Sequence, residues 1–211
     1  MIYKETKSLF LKKYQYKIVL VTSTAPWFRG GDVEQTLENI EEFAANPTGK
    51  LGISWSARIK LPNELTDAKA LALDLKKMSD YDVRVESPFV SVYTNNVKNV
   101  SLLEKKFEGM IKYISKPAKV DALTEDTVVM PKLLQYDFKI TMAASKTDHL
   151  AFVNWATNNP KIRITKSCIR DLSRNRSWGG THFYVTGEKN LLVAKMHLGG
   201  CIAKIQRIVK E

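Results

Sequence analysis

The stretch YTNNVKNVSLLEKKFEGMIKYI, residues 93–114, recurs in altered form as YVTGEKNLLVAKMHLGGCIAKI, residues 184–205. Both begin with a Tyr near a Thr, continue through Lys-Asn and Leu-Leu pairs, and reach a Gly before a segment with Ile and Lys. Helical spacing followed by β-branched residues predicts a helix and then a strand in each copy. A duplicated unit is one interpretation. The other is that the same physics shapes any two short amphipathic α-to-β segments.

The second half of the chain predicts the element order βαββαβ. Working outward from the repeated stretch, the strands are expected at 135–143, 161–169, 181–187 and 201–209, and the helices at 147–157 and 188–198. The segment SRNRSWGG, 173–180, is expected to be a turn. This order resembles the ferredoxin-like unit, in which two helices pack on one face of a four-stranded antiparallel sheet. The fold class expected is therefore α+β.

The first half predicts a similar unit with an extra helix. Strands are expected at 14–23, 51–60, 83–94 (interrupted at Pro88) and 110–115, and helices after Asp32, at 66–78 and at 97–109. Asp32 with Gln35 three residues later is a capping-box pattern. We expect two ferredoxin-like units, 1–116 and 132–211, joined by a linker rich in Asp, Thr and Pro over 117–131.

Composition indicates a soluble globular protein. Of 211 residues, 44% are apolar and 26% are charged, which is typical of a folded chain with its own core. Two cysteines are too few for a disulfide framework or a zinc cluster. The N-terminal segment lacks the continuous apolar core of a signal peptide, and no run of about 20 apolar residues is present. We expect a cytoplasmic protein with no membrane association and no cofactor.

The positive charge is concentrated in the second half. Residues 132–211 hold fourteen Lys and Arg against five Asp and Glu, whereas residues 1–131 hold nineteen against seventeen. The last 80 residues therefore carry +9 of the net +11. Such polarisation indicates an anionic partner, most often nucleic acid, because each neutralised phosphate releases counterions.

The densest cationic cluster lies between residues 161 and 180. Its basic residues oppose a single acid, Asp171, and lie close to one aromatic ring; they are Lys161, Arg163, Lys166, Arg170, Arg174 and Arg176, followed by Trp178. Guanidinium groups interleaved with an aromatic ring suit single-stranded nucleic acid, whose phosphates pair with Arg and whose bases stack. The alternative is a solvated basic hairpin with Trp178 folded onto the core.

The octamer GTHFYVTG, residues 180–187, resembles the third strand of RNA-recognition motifs in its initial Gly and its aromatic-Val centre. The resemblance implies that His182 and Tyr184 lie on the open face of the sheet, with Lys139 on the neighbouring strand. The chain departs from that family because the octamer lacks its second glycine. In addition, Phe138 falls on the opposite face from the position where a base-stacking aromatic belongs.

A second candidate is TAPWFRGGD, residues 24–32. Its residues of interest are Trp27, Phe28, Arg29, Gly30 and Gly31, which lead into a predicted helix N-terminus. Free N–H groups at such a terminus favour an anion, so a phosphate or a partner is one interpretation. The other is a loop whose two aromatics pack on the core.

Catalysis has little support in the sequence. His149, His182 and His197 are far apart and lack metal-ligand spacing, so no metal site is predicted. Two ferredoxin-like halves with a late Gly-Gly resemble the CRISPR RNA-processing endonucleases, for which His182 is the candidate general base or acid. However, that family has a longer glycine-rich loop, and the first half here contains no histidine.

The sequence thus predicts a non-catalytic protein that binds nucleic acid, preferably single-stranded, with low sequence specificity. An alternative is a protein-interaction or regulatory factor that docks an acidic partner, since small basic proteins of this kind are common among virus-encoded factors. A metal-independent RNA endonuclease is the third possibility. Sequence alone does not choose between DNA and RNA, because charge and stacking serve both.

Overall fold

The computed structural model describes residues 2–46, 63–118, 123–130, 135–174 and 176–210. The chain divides into two compact units, Met1–Val120 and Asp121–Glu211. Among the described residues, each unit has one five-stranded sheet with helices packed against it. This confirms the predicted α+β class and is consistent with two βαβ-type units. Each sheet differs from the predicted four-stranded antiparallel sheet by a fifth strand at one edge, which runs parallel to its neighbour.

The first unit is built on the strand order β1-β5-β2-β4-β3. Its elements are β1 Tyr3–Thr6, β2 Tyr16–Val21, α1 Val33–Ala45, α2 Asn63–Lys77, β3 Tyr81–Glu86, β4 Phe89–Thr94, α3 Val97–Lys106 and β5 Ile111–Pro117. Short 3-10 turns occur at Ala25–Phe28 and Glu108–Met110. Strand β1 runs parallel to β5, and the other pairs are antiparallel.

The second unit has the order β6-β10-β7-β9-β8. Its elements are β6 Thr127–Met130, β7 Phe138–Met142, α4 Leu150–Thr157, β8 Ile162–Ile164, α5 Lys166–Leu172, β9 His182–Val185, α6 Glu188–Leu198 and β10 Ile202–Lys210. A 3-10 turn, Gly199–Cys201, precedes β10. Strand β6 runs parallel to β10, and the remaining pairs are antiparallel.

The two sheets repeat one another strand for strand. Both place the last strand between a parallel edge strand and the first long strand, and both have a register shift early in that last strand. By register, Lys17 lies opposite Tyr93 in the first sheet, and Lys139 lies opposite Tyr184 in the second. Positions in one unit can therefore be compared directly with positions in the other.

Alternation along the strands separates a core face from an open face. Ile140, Phe183 and Val185 are fully buried and belong to the core cluster that the helices of the second unit complete. Burying a large apolar side chain of this kind stabilises the fold by roughly 1.5–3 kcal/mol. Because strand side chains alternate, the residues between them point away from the helices. That second face is where the candidate site residues lie.

The predicted strand over 161–169 is wrong beyond its first part. Only Ile162–Ile164 is a strand, and the chain then turns into helix α5. Thr165 caps this helix, since its side chain accepts a hydrogen bond from the N–H of Cys168 at 3.2 Å. Cys168 and Leu172, four residues apart, are both buried. This helical spacing overrides the β-branched content, so Lys166 and Arg170 lie on a helix instead of a hairpin.

Other boundaries differ in smaller ways. Thr127–Met130, inside the expected linker 117–131, is strand β6, because its β-branched residues add to the edge of the second sheet. The strand expected over 83–94 is a hairpin of β3 and β4, with a cis Ser87–Pro88 bond between them. The strand predicted at 51–60 lies outside the described residues. Among the described helices, none has the length and apolar character needed to cross a membrane.

Candidate nucleic-acid interface

A cationic row crosses the open face of the second sheet. Strand register places Lys139 opposite Tyr184, and Tyr184 opposite Arg163 on the edge strand. On its other side, Lys139 lies opposite Gln206 of β10. Because strands lie about 4.8 Å apart, these side chains form one line across four strands. The structure thus brings together three of the residues predicted from the sequence.

A second row lies two residues along the strands. Lys204 lies opposite Thr141, which lies opposite His182. His182 was predicted from the sequence, whereas Lys204 was not. The signal was nevertheless present, because Lys204 and Gln206 alternate with Ile205 in the last strand.

Burial and repulsion between neighbouring cations lower the pKa values of Lys139 and His182 on this face. The pKa of Lys139 is lowered, mainly because burial penalises the ammonium and also because Lys204 repels it. The pKa of His182 is lowered by burial and then by the charge of Lys139. His182 is therefore neutral at pH 7. An anion on this face would favour the charged form of both side chains.

Tyr136 covers part of the aromatic surface of this face. Its ring centroid lies 6.0 Å from that of Tyr184, and it packs with Val128 and Ile208 in a small buried cluster. The ring of His182 meets Tyr184 edge-on, with 5.4 Å between centroids. Tyr184 is consequently half-buried and does not present a bare ring to a base. Sequence reasoning missed Tyr136, which lies two residues before β7.

Trp178 is the exposed aromatic of the second unit. It follows α5 in the loop that leads to β9, and 78% of its surface is exposed. The guanidinium carbon of Arg176 lies 4.9 Å from its ring centroid, in a cation–π contact. The alternative in which Trp178 folds onto the core is therefore wrong. Its ring is available for stacking.

Asp171 anchors the loop that carries Trp178. The hydroxyl of Ser177 donates to Asp171 Oδ2 at 2.7 Å, and the hydroxyl of Thr181 donates to the same oxygen at 3.1 Å. Ser177 also exchanges two backbone hydrogen bonds with Ser145, at 2.8 and 3.1 Å. The single acid of the basic cluster is thus engaged in holding the loop on both sides of Trp178.

Gly179 fixes the loop against the end of β7. Its φ is +75°, and a Cβ at this position would lie 2.7 Å from backbone atoms of Ala143 and Ala144. Next to it, the N–H of Gly180 donates to the carbonyl of Met142 at 2.8 Å. The tryptophan therefore projects from a backbone that is tied down on both sides.

The remaining predicted cations do not share the sheet face. Lys166 and Arg170 lie on α5, and Arg174 follows it, all three exposed. Lys161 precedes β8 at the other end of that short strand. The single strand and hairpin expected from the sequence are thus replaced by two surfaces. One is the sheet row, and the other is α5 with the Trp178 loop.

The two aromatics of the loop at 24–32 pack on the core, as the second interpretation of this loop predicts. Trp27 and Phe28 are buried, and Trp27 packs against Phe43 with 5.4 Å between ring centroids. Asp32 caps α1 by accepting a hydrogen bond from the N–H of Gln35 at 3.0 Å, which confirms the predicted cap. The segment 29–31 therefore leads to a helix start that already carries a carboxylate. This carboxylate disfavours an anion at the helix N-terminus, whereas the exposed side chain of Arg29 would attract one.

The cysteines, histidines and acidic residues were also considered as nucleophiles, as acid–base groups and as metal ligands. Burial raises the pKa of the Cys168 thiol to about 11, which keeps it protonated. His149 lies 3.2 Å from the hydroxyl of Ser145 near the start of α4, away from the other histidines in sequence. Within the described part of the chain, no group of three or more His, Cys, Asp or Glu could hold a metal ion.

The second unit therefore offers ammonium and guanidinium groups for phosphates and one exposed ring for a base. Backbone hydrogen bonds connect the strands of the sheet row to one another and Ser177 of the Trp178 loop to Ser145. Comparison with protein-family models, with curated proteins and with solved structures finds no match for this chain. What indicates a function is the arrangement of these residues.

Proposed function

We propose that this protein binds single-stranded nucleic acid through its second unit, without catalysis and with low sequence specificity. The observation that carries the proposal is Trp178, 78% exposed on an anchored loop with Arg176 beside its ring. Leaving a tryptophan in water forgoes the stabilisation that its burial would give the fold. An exposed large aromatic beside a cation suits an unstacked base next to a phosphate.

The placement of charge supports the same function. Lys204, Lys139 and Arg163 lie on one face of the sheet, on β10, β7 and β8, with β9 between the last two. Phosphates are the anions that nucleic acid presents at regular intervals. Contacts of this kind carry no sequence information. The expected binding is therefore strongly dependent on salt and weakly dependent on base sequence.

The first unit provides an internal comparison. At the position of Arg163 in the cationic row, the first sheet has Asp82, which lies opposite Tyr93 as Arg163 lies opposite Tyr184. A βαββαβ sheet of this architecture therefore does not require a cation there. The cation at this position of the row is specific to the second unit, as expected if Arg163 contributes to binding an anion.

The test is titration of fluorescently labelled single-stranded DNA, single-stranded RNA and duplex with the protein, with fluorescence anisotropy of the label as the signal. Trp178→Ala should weaken single-strand binding about 5- to 150-fold, since stacking on one base contributes about 1–3 kcal/mol. Met196→Ala on α6 is a matched control, because Met196 is equally exposed, at 78%. Equal affinity of the Trp178 variant and wild type would exclude stacking on this ring.

The same titration addresses the alternatives. An acidic polypeptide that competes with the oligonucleotide at equal charge would favour an acidic protein partner over nucleic acid. Cleavage of the RNA that is lost in His182→Ala would favour the endonuclease. A reducing, cytoplasmic location is part of the proposal, because Cys168 and Cys201 form no disulfide.

A further inference from the structure

The open face of the first sheet carries its own group of lysines. Strand register places Lys4 of β1 opposite Ser115 of β5, and Ser115 opposite Lys17 of β2. Three neighbouring strands thus present a Lys-Ser-Lys row on one face. Ile18 and Ile114, which alternate with these residues, are fully buried in the core on the other side.

Aromatic rings hold these ammonium groups on the face. Lys4 Nζ lies 3.8 Å from the ring centroid of Tyr113, and Lys17 Nζ lies 6.0 Å from the same centroid. Lys112, at the register shift of β5, lies with its Nζ 3.9 Å from the ring of Phe89. These cation–π contacts favour side-chain conformations in which the three ammonium groups stay on this face.

The first unit carries a net positive charge that is unevenly distributed, since residues 1–120 hold nineteen Lys and Arg against fourteen Asp and Glu. Helix α1 is acidic, because it carries Glu34, Glu38, Glu41 and Glu42 and no basic residue. The acids on the open face, Asp82 and Glu86, lie on the edge strand β3, beyond β4. The part formed by β1, β5 and β2 is cationic, and an anion there would relieve the repulsion among its lysines.

We propose that the face formed by Lys4, Lys17 and Lys112 is a second phosphate-contacting surface for single-stranded nucleic acid. This inference rests on the function proposed for the second unit. Lys17 occupies the position that Lys139 occupies in the second sheet, so both units place a lysine at the centre of the open face. The first unit is then a second contact for the strand instead of a passive scaffold.

The two faces differ in how they engage the strand. In the first unit, the ring of Tyr93 is buried and is flanked by Phe10 and Tyr14, with centroids at 5.7 and 6.4 Å. The rings of Tyr113 and Phe89 are covered by ammonium groups. The first face therefore contributes phosphate contacts without base stacking, whereas the second adds stacking at its exposed tryptophan.

The experiment replaces Lys4, Lys17 and Lys112 together by Gln in the full chain. If all three reach phosphates, the slope of log affinity against log salt should become shallower by about 2, and affinity at 0.1 M salt should fall roughly 100-fold. The matched control replaces Lys77, Lys98 and Lys105, exposed on the helices of the same unit, by Gln. It removes the same charge and should keep nearly the full slope. Replacement of the three face lysines by Arg should preserve binding.

Short oligonucleotides, of about eight nucleotides, give a second readout. The wild-type chain should bind two equivalents, and the Gln variant should bind one that still quenches the tryptophan. Unchanged slope and stoichiometry in a variant with wild-type melting temperature would overturn the inference while leaving the second-unit function intact. If the wild-type protein shows no salt-dependent binding of the oligonucleotide, the function proposed for the second unit is wrong, and the inference about the first sheet is wrong with it.

Discussion

Replacement of Asp171 by Ala should weaken the binding of single-stranded nucleic acid, even though it removes a negative charge from a basic surface. Asp171 is the carboxylate among the cations of α5 and the Trp178 loop, so simple electrostatics predicts tighter binding in Asp171→Ala. At about 8 Å in water, deleting one negative charge gains about 0.5 kcal/mol, or roughly twofold in affinity. The hydrogen bonds of Asp171 predict the opposite sign.

The structural effect is larger than the electrostatic one. Asp171 Oδ2 accepts from the hydroxyls of Ser177 and Thr181 at 2.7 and 3.1 Å. Hydrogen bonds to a charged group contribute about 1.5–3 kcal/mol each, so the loop loses much of what orders it. Re-ordering a backbone residue on binding costs about 1–2 kcal/mol. We expect single-strand affinity to fall about tenfold despite the favourable change in charge.

The assay is the fluorescence titration at fixed salt, with unfolding followed in parallel. Asp148→Ala, which removes an exposed acid from the same unit, is the matched control and should bind as well as wild type or slightly better. Asp171→Asn, which keeps an acceptor oxygen, should lie between wild type and Asp171→Ala. Tighter binding by Asp171→Ala would refute the role of Asp171 in positioning Trp178.

Three further results are expected. Arg163→Asp gives the second sheet the residue that the first sheet has at Asp82, and should make the salt slope shallower by about 1, measured by the same titration. Because the pKa of His182 is lowered, its ring is neutral at pH 7 and a bound phosphate favours protonation; affinity should therefore rise as pH falls from 7 toward 5. His182→Asn should remove that rise. If this variant has the same pH profile as wild type, a group other than His182 is responsible for the rise in affinity. Gly179→Ala should destabilise the second unit by about 1–3 kcal/mol in denaturant unfolding, because its Cβ meets backbone at 2.7 Å with φ at +75°; unchanged stability would mean that the loop moves freely.

The periodicity of apolar residues in the sequence was sufficient to predict the fold class. It was also sufficient to predict which residues of β9 lie on the open face of the sheet. Alternation along HFYV separates buried Phe183 and Val185 from half-buried His182 and Tyr184, as the sequence predicted. The same rule placed Lys139 on that face. It also sufficed for the last strand, Ile202–Lys210, although its isoleucines have helical spacing as well.

Periodicity failed where tertiary contacts decide. A cap at Thr165 and burial of Cys168 make a helix from residues that would suit a strand. The short edge strand β6 exists because β10 offers it a parallel partner, and no local signal reports such a partner. Whether Trp178 is buried or exposed depends on Asp171 and Gly179, whose contacts are not encoded in spacing.

Summing the charges over each half of the sequence did not reveal the lysine face of the first sheet. The excess of +9 in residues 132–211 drew attention to the second half, where the cations prove to be divided between a sheet face and α5. In the first half, four glutamates on α1 cancel the lysines of the sheet in any sum over sequence. The cationic face of the first unit becomes visible only when strand register assigns each charge to a side of the sheet.

The most direct test of the central claim is the affinity for a single-stranded oligonucleotide measured across a series of salt concentrations, for wild type and for Trp178→Ala. The account predicts a slope of roughly −3 to −5 in log affinity against log salt, as five to seven phosphate contacts would give. The variant should keep that slope and lose affinity by a constant factor, since stacking does not depend on counterions. An affinity that is independent of salt, or equal affinity of variant and wild type, would contradict the account.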